Sequence, residues 1–137
     1  MSPREDLHLD AELIVLLAMG EARATLGVKL NEKLVKHSIV SLNMQRTPDF
    51  SYAYSFDHRM RPRADINRPA GSLARSQACN AALRVFGEKA VTDEVLITWA
   101  DRFLAREGFL SNVRKRPVPH EGAFRIAGYF YYYGIYY

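Results

Sequence analysis

Cysteine is almost absent from this chain. Cys79 stands alone, so no intrachain disulfide can form. Set in the small-residue run SQACNAAL, it suits core filling better than nucleophilic chemistry. Long apolar runs are missing too: residues 13–19 fall well short of the about 20 residues that span a bilayer. Glu5, Asp6, Asp10 and Glu12 precede that run, the wrong charge for a secretory leader. Strand-like alternation is confined to SYAYSF at residues 51–56, which argues against a sheet-built fold. There is no acidic excess, the net charge being +4. The basic residues gather at Arg59, Arg61, Arg63 and Arg68 and again at Arg114, Lys115 and Arg116. No zinc-finger spacing, RNP-like motif or recognition helix accompanies them, so they read as solvated loops and no nucleic-acid partner is expected.

What is present is helical punctuation. Asp10 is placed to cap a first helix carrying Leu13, Ile14, Leu16 and Leu17, with Gly27 as its stop. Asn31 caps a second, with Leu34, Val35, Ile39 and Leu42 on or near one face, ending around Gln45 before Pro48. Ser72 starts a third, striped by Leu73, Ala74, Ala78, Ala81, Ala82 and Phe86 and ended by Gly87. Thr92 caps a fourth, with Asp93 and Glu94 at its positive end, then Val95, Leu96, Trp99, Phe103 and Leu104, closing at Gly108. Between the second and third lies an irregular segment, residues 46–70, with Pro48, Pro62 and Pro69, long enough to suggest a functional or lid-like loop.

The punctuation repeats. Gly27 and Gly87 are 60 positions apart, and the caps Asn31 and Thr92 are 61 apart. A helical hairpin repeated at that period is the expectation, in one all-α domain over residues 1–137. A fifth helix begins near Glu121 and runs into GAFRIAGYFYYYGIYY, residues 122–137 from Gly122 to Tyr137, which holds six tyrosines and no stop signal. A helix aromatic on every side needs burial. About two and a half hairpins cannot close a ring, so the chain reads as an incomplete part of a larger body, self-associating or meeting its remainder through this tail.

The order of hairpin, Gln45 followed by RTPDFSYAY, then GSLARSQACNAALRVFG, then HEGAFRIAGYFYYYGIYY resembles the α/α toroid of terpenoid cyclases and protein prenyltransferases, the squalene-cyclase-like repeat group. Repeats of that group end in a glutamine, a short Asp-Gly turn and a tryptophan. Gln45, Asp49, Ser51 and Tyr52 occupy the matching places, with Phe50 standing for the glycine and Tyr52 for the tryptophan. The resemblance implies helical hairpins of α/α-toroid type, as an incomplete ring. It also implies a central cavity whose aromatic walls could hold a hydrophobic polyprenyl chain or a sugar. The group's chemistry is not written here: no two aspartates stand two apart as in DxDD, Gln77 rather than an aspartate precedes Cys79 at the zinc-site spacing, and GCGEQ is missing.

Two clusters are candidates for chemistry. His120 and Glu121, with Arg125 and Tyr129 along the same helical face, form a possible general-base constellation, read otherwise as a helix start with an ion pair. One histidine beside one glutamate lacks the further ligands of a zinc site, so neither metal nor cofactor is expected. Asp57 and His58 with Arg59 form the second. Arg75 either accepts an anion or closes the loop by hydrogen bonds. Tyr52, Tyr54, His58, Arg75, Arg125, Tyr129 and Tyr133 make up the candidate ligand-binding set, the alternative being inter-helix packing. The expectation is a non-catalytic ligand-binding or interaction scaffold; the alternative is a cyclase- or lyase-like enzyme on a polyprenyl or carbohydrate substrate, its catalytic acid partly outside the chain.

Overall fold

The computed structural model describes residues 9–61, 67 and 69–106, the side chains of 9–12, 56 and 69–71 excepted. Over these residues the protein is all-α, with five helices: α1 Leu9–Leu26, α2 Glu32–Gln45, α3 Phe56–Arg59, α4 Pro69–Val85 and α5 Asp93–Ala105. Among them none is long and apolar enough to cross a membrane.

Two hairpins are made the same way. α1 stops at Gly27, whose φ of 64° is the left-handed turn that glycine enters without a Cβ clash. The chain then reaches Asn31, whose side chain accepts from the Lys33 and Leu34 amides and opens α2. α4 stops at Gly87, φ 84°, and Thr92 opens α5 by accepting from the Val95 amide. Helix ends that leave orphan amides are thus satisfied from within a few residues. The starts of α1 and α4, and of α2 and α5, thus fall 60 and 61 residues apart.

Other starts differ from the sequence reading. α1 is already helical at Leu9, so Asp10 lies inside the first turn rather than capping it. α4 begins at Pro69, where a missing N–H costs nothing and φ is preset, and Ser72 is buried within the helix. SYAYSF is not a strand: a single antiparallel bridge joins Arg46 to Tyr52, and Ser55 then caps the short α3. Gly108 and the tail helix lie outside the described residues.

α4 is the centre, packing against α1 on one side and α5 on another, while α2 packs on α1. Its Ala74, Ala78, Cys79 and Ala82 are buried, and such small side chains let neighbouring helices come close. Gly20 of α1 makes the same approach from the other side: a Cβ there would lie 3.1 Å from Val85 and 3.2 Å from Phe86. Leu13, Leu16, Val35, Leu42, Tyr52, Leu83 and Val91 complete one core. Leu34, expected on or near the inner face of α2, is instead exposed at 45%, and Leu104 of α5 is exposed at 65%.

Candidate functional site

The connection from α2 to α4 is irregular backbone laid over a helix, so its amides and carbonyls need partners. It supplies some itself. The Asp49 carboxylate accepts from the Thr47 hydroxyl at 2.7 Å, the Ser51 hydroxyl at 2.8 Å and the Ser51 amide at 3.1 Å. Burial works against the charge on Asp49. The Thr47 and Ser51 hydrogen bonds and the Arg102 guanidinium outweigh it, holding the carboxyl below its ordinary range. Phe50 sits at φ 63°, the conformation a glycine would take without strain, which fits its place in the turn. Its ring packs on the core beneath the Arg46 guanidinium at 5.1 Å, contact that a glycine would lack.

α4 supplies the rest. The Tyr52 amide donates to Ser76 Oγ at 3.2 Å, and Arg75 Nε donates to the Tyr52 carbonyl at 3.1 Å. Asn80 works in both directions: its Nδ2 donates to the Phe50 carbonyl, and its Oδ1 accepts from the Tyr52 hydroxyl at 2.9 Å. Burial pushes the Tyr52 phenol far above its ordinary range and nearby Cys79 adds to that, while Arg46 pulls the other way, so Tyr52 remains a neutral donor. α5 clamps the outer edge, where Trp99 Nε1 donates to the Asp49 carbonyl and Arg102 pairs with its carboxylate.

Further along, Asn67 ties the connection together. Its Oδ1 accepts from the Tyr54 amide, and its Nδ2 donates to the carbonyls of His58 and Arg61. His58 Nδ1 lies 2.8 Å from Ser55 Oγ, and its ring meets Tyr54 edge-on at 5.3 Å. Among the described residues Thr47, Ser51, Tyr52, Ala53, His58, Arg59 and Asn67 line a partly open cavity of about 90 Å³. That is room for roughly three waters at about 30 Å³ each. It is well below the roughly 300 Å³ at which small-molecule pockets begin.

The structure therefore brings together four of the residues proposed for ligand binding. Arg75 lies against Tyr52 and 5.6 Å from the Tyr54 ring centroid, and Tyr54 touches His58. Tyr52 and Arg75 are 1% and 0% exposed and hold the connection to α4, while Tyr54 and His58 are half-buried beside them. Arg125, Tyr129 and Tyr133, like His120 and Glu121, lie outside the described residues. Among the described residues no three His, Cys, Asp or Glu gather as metal ligands. Asn67 and Asn80 were missed because an asparagine's partner is set by tertiary contact. The Thr-Pro-Asp start of the turn at Asp49 was a visible signal.

A larger concavity lies elsewhere. Along the outer face of α2 runs an open groove of about 500 Å³, lined among the described residues by Asn31, Lys33, Leu34, Lys36, His37 and Val40. At ~100° per residue, Lys33, Lys36, His37, Val40 and Met44 fall on one side of α2. Its buried residues Val35, Ser38, Leu42 and Gln45 fall on the other. The groove thus joins exposed apolar side chains to a row of bases. No family model matches this chain, and no curated protein or solved structure matches it.

Proposed function

We propose that this chain is an interaction scaffold of helical hairpins, of the α/α-toroid type, and that the outer face of α2 is a surface it offers to a partner. The observation that carries this reading is the composition of the groove. Val40 stands exposed between Lys33, Lys36 and His37, with Met44 continuing the strip and Leu34 at its edge, toward the buried side of α2. Exposed apolar side chains scattered singly need no explanation, but Val40 and Met44 adjoin on one side of α2 beside Lys33 and Lys36, the mixture of apolar centre and charged rim that docking faces carry. Its complement is an amphipathic helix with apolar residues three and four apart and carboxylates between them, the helix-in-groove mode of recognition. The connection supports the reading from below. Arg59 Nη1 donates to the Met44 carbonyl at 2.9 Å, so the open C-terminal end of α2 is fixed and adds a further base there.

The test is fluorescence anisotropy of a labelled helical peptide bearing leucines and glutamates on one face. Saturable binding is expected, weakened about tenfold in the Lys33→Glu/Lys36→Glu protein, a loss of roughly 1.4 kcal/mol. Equal affinity of that variant for the peptide, or of the native chain for the same peptide with glutamine in place of glutamate, contradicts the reading.

A further inference from the structure

We draw no further inference here: the strongest candidate, the apolar outer face of α1 on which Ile14, Val15 and Leu26 stand exposed, is an unpartnered surface patch, and nothing in the structure shows what covers it.

Discussion

α2 and α5 are the second helices of the two hairpins, and inside the protein they are near equivalents. Both follow a left-handed glycine and both are opened by a side-chain cap. Both bury one face, α2 through Val35 and Leu42 and α5 through Trp99 and Phe103. Outside they are opposites. α2 presents Lys33, Lys36 and His37 around Val40, whereas α5 presents Glu94 and Asp101 around Ile97 and Leu104. The two helices are alike in what holds a hairpin and differ in what they show to water. A shared inner pattern specifies the fold, and the divergence of the outer faces is where a partner would be encoded.

The inner likeness is open to direct attack. Trp99→Ala removes a buried aromatic and the hydrogen bond to the Asp49 carbonyl, and is expected to cost about 4 kcal/mol. Leu42→Ala is expected to cost about 3 kcal/mol, the usual size for a leucine truncated in a packed core. Urea unfolding of both variants checks the pair. Losses below 1 kcal/mol would mean that one inner face is not packed as described.

Tyr52→Phe is the next step down. It leaves Asn80 Oδ1 without its donor in the interior, and about 1–2 kcal/mol of stability is expected to go with it. The cap substitutions Asn31→Ala and Thr92→Ala sharpen the likeness. Each is expected to cost about 1 kcal/mol, and a large inequality between them would show that the two hairpins are not closed alike.

The smallest effect depends on pH. Because Asp49 is held below its ordinary value of 3.8 in the folded chain, its contribution is complete above that value. It is lost as the pH falls through the lower folded value. Asp49→Asn is therefore expected to be less stable than the native chain at neutral pH and to approach it in acid. Urea midpoints at a series of pH values follow the convergence. A constant gap across the series would mean that the carboxylate charge contributes nothing to the turn.

The hairpins were legible in the sequence because their signals are local. Gly27, Gly87, Asn31 and Thr92 act on backbone within a few residues of themselves, so spacing alone revealed the period. Phe50 takes the left-handed conformation that glycine enters most readily. The polar face of α4 was not legible. Arg75, Ser76 and Asn80 are buried because the connection lies across them, and helix periodicity carries no information about a distant segment's hydrogen bonds. Leu34 misled for a related reason: a hydrophobic residue is assigned inward by default, and only tertiary packing reveals which ones stay exposed. Of the sequence-derived ligand set, Tyr52, Tyr54, His58 and Arg75 did converge, around a connection anchored to α4 and a cavity of water size.

That the basic outer face of α2 takes an acidic helical partner is tested most directly by the salt dependence of the peptide's anisotropy. Saturable binding in low salt that weakens in high salt is the expected result, because Lys33 and Lys36 are exposed and their charges screenable. No saturable binding in low salt would contradict it.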